Sequence, residues 1–133
     1  MKRAVTRIDK TTEGAIRDIL RSRAKTKIYI FLLKKNGARS EEIIKEVNLH
    51  PSTIRELLSK MHEQRLIFRE KLKNDCIGKN PYFYRAVPPV TLLQRYTKDL
   101  EDRLNKLANL SAPSPKENQN NRYVKIKIYE ASR

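Results

Sequence analysis

Cysteine and glycine are scarce in this sequence, and their scarcity excludes several kinds of site. The chain of 133 residues has one cysteine, Cys76, and three widely separated glycines. A single cysteine cannot form an internal disulfide, and with only His50 and His62 beside it there is no ligand set for a structural zinc site. Dinucleotide-binding turns and phosphate-binding P-loops need clustered glycines, which this chain lacks. We therefore expect no metal and no nucleotide cofactor.

Long hydrophobic runs are also missing. The longest apolar run extends from Ile28 to Leu33, six residues, whereas a helix that crosses a bilayer needs about 18 or more. The chain begins Met1-Lys2-Arg3, but no apolar segment of the kind found in a secretory signal follows these charges. We expect a cytoplasmic, nucleoid-associated protein that has no membrane partner.

Acidic residues are outnumbered two to one by basic residues. The 30 lysines and arginines exceed the 15 aspartates and glutamates by a formal charge of +15. So large an excess of one sign indicates a polyanionic partner, and nucleic acid is the first candidate. The excess is uneven, because residues 1–35 carry 11 basic and 3 acidic side chains whereas residues 36–66 carry five of each.

The first half of the chain has the apolar spacing of helices. Residues 13–35 form either one helix or two, since Ser22 would cap a second helix. Asn36-Gly37 provides a left-handed stop for this segment. A short helix at about residues 41–47 follows, for which we predict Ser40 as the N-cap residue.

A further helix is predicted over residues 51–64, with Pro51 in its first position. Its apolar residues recur at helical spacing, so one face is buried and the opposite face is polar. Two β-prone runs, Ile67–Leu72 and Tyr82–Val87, then predict a hairpin with a basic tip. Helical spacing returns over residues 90–110.

The last 23 residues lack the helical spacing of apolar residues. The segment 111–121 has no apolar period and is predicted to be a linker or disordered. Beyond it, Val124, Ile126 and Ile128 alternate with polar residues, which predicts a half-buried strand.

This order of elements is that of a winged helix-turn-helix, a fold that presents one helix to the DNA major groove. Residues 40–70, SEEIIKEVNLHPSTIRELLSKMHEQRLIFRE, resemble archaeal and bacterial winged-helix regulators of the ArsR, MarR and TrmB-like groups. The similarity rests on the small polar start Ser52-Thr53, the apolar pair Leu57-Leu58 and the terminal Leu66-Ile67.

One stretch indicates which of these groups the chain resembles most. Residues 82–89, YFYRAVPP, followed by a leucine-rich helix are similar to the TrmB-like archaeal regulators, in which the second wing strand leads into a dimerisation helix. The chain departs from these families at Arg65, where glycine usually closes the recognition helix in a left-handed conformation. The resemblance implies an α+β, mainly helical fold: a winged helix-turn-helix with a C-terminal dimerisation helix.

The predicted organisation has four parts. They are a basic N-terminal arm or helix (1–22), a winged helix-turn-helix domain that binds DNA (23–89), a dimerisation helix (90–110), and a linker with a C-terminal β-strand (111–133). The N-terminal arm would wrap phosphate, or it is only an amphipathic helix that packs on a partner subunit.

Candidate DNA-binding residues lie on the predicted recognition helix, its approach and the hairpin. They are Arg39, Ser40, His50, Ser52, Thr53, Arg55, Ser59, Lys60, Arg69, Lys71, Lys73 and Lys79. Arg55 is the best candidate for a bidentate contact to guanine. The alternatives are that the helix face is merely solvated and that the hairpin lysines only guard a sheet edge against aggregation.

A second set of residues is predicted to join two copies of the chain. The apolar stripe of the last helix contains Leu93, Tyr96, Leu100, Leu104 and Leu107. A two-fold dimer would set two recognition helices about 34 Å apart, one turn of DNA.

The expected function is therefore that of a homodimeric regulator of transcription that binds double-stranded DNA, with no identifiable small-molecule effector. An architectural protein that coats DNA without sequence preference is the second interpretation, and RNA binding or protein bridging is the third. An enzyme is least favoured, because the sequence offers no evident carboxylate pair, activated nucleophile or metal set.

Overall fold

The computed structural model describes residues 7–72, 82–110 and 123–129. The helices and strands, in chain order, are α1 (Lys10–Leu20), α2 (Arg23–Lys35), β1 (Ala38–Arg39), α3 (Ser40–Glu46), α4 (Pro51–Glu63), β2 (Ile67–Lys71), β3 (Tyr82–Ala86) and α5 (Pro89–Ala108). The chain divides into two compact units, Met1–Pro88 and Pro89–Arg133. The predicted fold class, α+β and mainly helical, is confirmed.

Local capping separates the first two helices. The Ser22 hydroxyl accepts a hydrogen bond from the Lys25 amide at 3.1 Å, and Thr26 Oγ1 donates to the Ser22 carbonyl at 2.7 Å. Arg21, between the helices, has the left-handed conformation with φ 58°. The question that the sequence left open is therefore settled in favour of two helices, with Ser22 capping the second.

The stop at Asn36-Gly37 is confirmed. Asn36 is left-handed at φ 59°, and the Gly37 amide donates to the Leu32 carbonyl at 3.1 Å. Gly37 itself has a φ of 113°, and a Cβ there would collide with the ring of Phe83. Only glycine fits this position, because both the backbone conformation and the close ring exclude a side chain.

The predicted N-cap of α3 is wrong by one residue. Arg39 occupies the cap position, and its amide donates to Glu42 Oε1 at 2.9 Å. This is half of a capping box, in which a glutamate three residues into the helix pairs with the cap amide. Ser40 is the first helical residue and is only 3% exposed.

The sheet has three antiparallel strands in the order β1-β3-β2. The predicted hairpin is confirmed: Ile67 lies opposite Ala86 and Lys71 lies opposite Tyr82. The third strand, β1, was not predicted. It pairs Ala38 with Tyr84 at the far side of β3.

The core of the first unit lies between α2, α3, α4 and the sheet. Its largest fully buried side chains are Tyr29, Ile28, Leu32, Ile43, Ile54, Leu58, Met61, Ile67 and Val87. The Tyr29 hydroxyl donates to the Val87 carbonyl at 2.6 Å. This bond satisfies the hydroxyl of a buried ring and joins α2 to the residue that follows the wing, the hairpin formed by β2 and β3.

The second unit consists, in its described part, of α5 and residues 123–129. The predicted C-terminal strand does not form within the described part of the single chain, where residues 123–129 pair with no other strand. Their backbone instead bonds to two side chains of α5, since Asn105 contacts Val124 and Glu101 contacts Ile126. The predicted linker, 111–121, lies outside the described residues.

No helix of the described chain is both long enough and apolar enough to cross a membrane.

Candidate nucleic-acid interface

The polar face of α4 is open to solvent. Ile54, Leu58 and Met61 bury the other side of the helix in the core. The exposed side chains are Ser52, Thr53, Arg55, Glu56, Ser59, Lys60 and Glu63. Every residue that we predicted for this face is therefore exposed. An α-helix with such a face fits the major groove of B-DNA.

Arg55 and Lys60 are free to bind a partner. Among the described residues, neither side chain has a hydrogen bond or an ion pair. Two glutamates, Glu56 and Glu63, share the same face, so its four charges cancel. The face therefore provides hydrogen-bonding groups without a net electrostatic attraction for a polyanion.

His50 caps α4. Its Nδ1 accepts a hydrogen bond from the Ser52 amide at 3.2 Å and lies 2.8 Å from the Ser52 hydroxyl. An imidazole that accepts at Nδ1 carries its hydrogen on Nε2 when neutral, so Nε2 remains a donor. His50 is exposed. It thus caps the helix and also places a donor at a helix N-terminus, where anions are favoured.

The helix-turn-helix also depends on how α4 ends. Arg65 is left-handed at φ 61°. Its amide donates to the His62 carbonyl at 3.0 Å, and the Leu66 amide donates to the Met61 carbonyl at 2.9 Å. These two bonds form a Schellman motif, which usually has glycine at the left-handed position. Arg65 thus keeps the left-handed conformation that glycine would adopt at the end of the helix.

The wing carries exposed basic residues on both of its faces. Arg69 and Lys71 are exposed on β2, and the Arg69 guanidinium lies 4.3 Å from the centre of the Tyr82 ring. This cation–π contact restricts the arginine without consuming its hydrogen-bond donors. Lys73, Cys76 and Lys79, which include the two lysines that we predicted for the wing tip, lie outside the described residues.

Arg85 is a candidate contact that the sequence analysis missed. It lies opposite Phe68 in the hairpin, 5.3 Å from the Phe83 ring centre and 3.7 Å from the Glu70 carboxylate. The alternating pattern of β3 was the available signal, because it places Arg85 on the face opposite to buried Tyr84. The ion pair is exposed and therefore weak, so it competes little with a phosphate.

Arg39 and Ser40 differ in accessibility. The Arg39 side chain is partly exposed and approaches Glu41, with Nε 3.5 Å from Oε1. The Ser40 side chain is buried, so any contact there with DNA is limited to the backbone. The structure thus separates two residues that the sequence analysis had assigned the same role.

The model of the family described as the sugar-specific transcriptional regulator TrmB matches residues 22–90, more than half of the chain. The chain belongs to the TrmB family. Membership identifies it as a transcriptional regulator with a DNA-binding winged helix, as the resemblance predicted.

A solved structure agrees with this assignment at the level of the fold. A possible transcriptional regulator from Methanosarcina mazei Go1 superimposes with a TM-score of 0.61 at 20% sequence identity. The alignment covers 80% of this chain and 97% of that one. None of the curated proteins matches the chain significantly.

The TrmB-family match begins at Ser22 and excludes α1, yet α1 packs on α2 within the same unit. Ile16 and Leu20 are its buried residues. The basic residues of the N-terminal arm that are both described and exposed are Arg7, Lys10, Arg17 and Arg21, and Arg23 and Lys27 are exposed at the start of α2. Lys25 is occupied, because its Nζ donates to Gln64 Oε1 at 2.9 Å.

The leucine stripe of this TrmB-family chain is partly exposed on α5. Leu93 and Leu107 are exposed, the latter by 62%, whereas Tyr96, Leu100 and Leu104 are half-buried. Ion pairs between residues four apart, Lys98–Asp102 and Asp99–Arg103, lie on the same helix. Arg103 interrupts the stripe, since it is three residues from Leu100 and four from Leu107. An apolar stripe bordered by charged residues is typical of a helix that packs against another helix.

Proposed function

We propose that this TrmB-family chain is a homodimeric regulator that reads the DNA major groove with the exposed face of α4. The observation that supports the proposal most strongly is Arg55, an exposed guanidinium with no partner among the described residues, on the outer face of the helix. A guanidinium in this position would form two hydrogen bonds to O6 and N7 of guanine. Ser52, Thr53, Ser59 and Lys60 would supply the remaining contacts.

Affinity would come chiefly from phosphate contacts outside α4. The four charges of the α4 face cancel, whereas Arg69, Lys71 and Arg85 lie exposed on the wing and more basic residues lie on α1. Contacts between such cations and DNA phosphates release counterions, which makes binding strong at low salt and equal on all sequences. His50 would add a phosphate contact at the start of α4.

Dimerisation would proceed through the α5 stripe. Its exposed leucines gain free energy when a second copy covers them. A two-fold pair would present two α4 helices to major-groove segments about 34 Å apart, so the preferred site would be a pair of inverted half-sites.

An architectural, sequence-independent function is the second candidate. It is favoured by one observation, the presence of Glu56 and Glu63 on the face that would have to read bases. A carboxylate there repels phosphate unless it accepts a hydrogen bond from a cytosine amine.

Paired substitutions test the proposal on duplexes of different sequence. We expect Arg55→Ala to weaken binding to the preferred duplex by roughly tenfold or more, which corresponds to about 1–3 kcal/mol, and to affect random DNA little. Lys71→Ala is expected to weaken all duplexes alike and to reduce the slope of log K against log salt by about one unit. Lys106→Ala, an exposed lysine on α5, serves as the control. If Arg55→Ala reduced binding to every duplex equally, base reading by this residue would be refuted.

A further inference from the structure

The segment 123–129 is hydrogen-bonded to α5 at Val124 and Ile126. Asn105 forms two hydrogen bonds with Val124: its Nδ2 donates to the Val124 carbonyl at 3.2 Å, and its Oδ1 accepts from the Val124 amide at 2.5 Å. Glu101 Oε2 accepts from the Ile126 amide at 2.8 Å. Because Glu101 and Asn105 are four residues apart, they lie on the same face of the helix. Alternate backbone groups of the segment therefore face α5, as expected for an extended chain.

This arrangement divides the side chains of the segment into two sets. Val124 and Ile126 are half-buried. The intervening residues point outward, with Tyr123 75% exposed, Tyr129 80% exposed, and Lys125 and Lys127 exposed between them. Among the described residues, none of these four outward side chains has a hydrogen bond, ion pair or ring contact. The result is an exposed row of the form Tyr-Lys-Lys-Tyr, called here the tyrosine-lysine face.

We propose that the tyrosine-lysine face binds single-stranded nucleic acid. Bases would stack on the rings of Tyr123 and Tyr129, and the phosphates between them would contact Lys125 and Lys127. Single-strand binding surfaces combine these two elements, because every base has a flat face that stacks on an aromatic ring and every nucleotide has a phosphate.

The spacing of the face fits such a ligand. At a rise of about 3.3 Å per residue, Tyr123 and Tyr129 are roughly 20 Å apart along an extended chain. That distance equals about six nucleotides at the stacked spacing of 3.4 Å per strand, within the range of roughly 4–16 nucleotides covered by known single-strand sites.

Two other partners fit less well. A second copy paired edge to edge would bring lysines from both chains close together, and like charges across a strand pair are unfavourable. A DNA duplex would use the lysines but not the tyrosines, since its bases are stacked inside the helix. The tyrosines therefore distinguish single-stranded nucleic acid from both alternatives.

The test is a titration of the full chain into labelled oligothymidine of about 12 nucleotides, followed by fluorescence anisotropy. At about 0.15 M salt, the pair Tyr123→Leu and Tyr129→Leu is expected to weaken binding by roughly tenfold or more, whereas Tyr→Phe at both positions retains it. Duplex binding should be unchanged by the leucine pair. Arg55→Ala should leave oligothymidine binding intact, so failure of this proposal and failure of duplex reading are separable.

Charge is tested by a matched pair of variants. Lys125→Gln with Lys127→Gln is expected to reduce the salt slope by about 1.4, which corresponds to two phosphate contacts on a single strand. Lys34→Gln with Lys35→Gln removes the same charge from exposed positions on α2 and should leave the slope for oligothymidine unchanged. If the two double variants reduced the salt slope for oligothymidine equally, the binding would be due to net charge and the proposal would be overturned.

Tyrosine emission provides a readout that does not depend on the variants folding. The chain has six tyrosines and no tryptophan, so its intrinsic fluorescence comes from tyrosine. Stacking on bases should quench part of this emission when oligothymidine is added to the unmodified chain. Absence of quenching at saturation, or leucine variants that bind oligothymidine as the unmodified chain does, would overturn the proposal.

Discussion

Replacing Arg65 with glycine is expected to stabilise the winged helix. Arg65 ends α4 in a left-handed conformation at φ 61°, and the two hydrogen bonds of the Schellman motif depend on that conformation. An L-residue with a side chain adopts it at a cost of about 1–2 kcal/mol. Glycine adopts it freely but loses about 0.5–1 kcal/mol more in conformational entropy on folding. The expected net gain is therefore about 0.5–1 kcal/mol.

The assay is urea unfolding followed by circular dichroism. The midpoint should rise for Arg65→Gly while the m-value stays constant, because the surface exposed on unfolding does not change. In thermal unfolding the gain corresponds to an increase in Tm of about 2–4 °C.

Arg65→Ala is the matched control. It removes the arginine side chain with its contacts but keeps a Cβ, so it retains the conformational strain. We expect the alanine variant to be no more stable than the parent chain and less stable than the glycine variant. An alanine variant that equals or exceeds the glycine variant would refute the idea that left-handed strain determines stability at this residue.

Two further predictions concern the close approach of Gly37 to Phe83 and the proposed dimer. Gly37→Ala should destabilise the first unit by about 2 kcal/mol or more, because it combines a strained φ with overlap against Phe83. Urea unfolding measures this change, and a decrease in the free energy of unfolding of less than about 0.5 kcal/mol would contradict the geometry. Leu107→Asp should shift sedimentation equilibrium from dimer to monomer at unchanged helix content, since Leu107 is exposed in the single chain. Leu110→Asp, beyond the end of α5, is the control and should leave the dimer intact.

Local signals were sufficient to predict most of the first unit. Ser22, Asn36-Gly37 and Pro51 act through hydrogen bonds or φ restrictions within a few residues of themselves, so their effect follows from the sequence. The buried stripe of α4 likewise determines which of its side chains remain exposed. The exposure of the predicted contact face of α4 could therefore be predicted from the sequence alone.

Features that depend on distant residues were not predictable. β1 has only two residues, too few for an alternating pattern, and exists because Ala38 and Arg39 pair with β3. Arg85 was missed as a candidate contact, because alternation along β3 indicates its face, whereas its place opposite Phe68 depends on the register with β2. The cap of α3 lies at Arg39 and not at the predicted Ser40 for a similar reason, because Arg39 pairs with β3 as the last residue of β1 and α3 begins directly after it.

The C-terminal segment shows the limit of alternation as a signal. The alternation of Val124, Ile126 and Ile128 with polar residues predicted a strand, but the contacts to the backbone of Val124 and Ile126 come from side chains of α5. Alternation shows that one side of an extended chain is covered, and it does not identify what covers it.

The most direct test of the proposed function is selection of bound duplexes from a random DNA pool, with competing non-specific DNA and salt near 0.15 M. A dimer that reads bases through α4 should enrich a motif of two inverted halves about 10 base pairs apart. The motif should change in Arg55→Ala. Duplexes retained without any enriched motif would contradict major-groove reading and favour the architectural function.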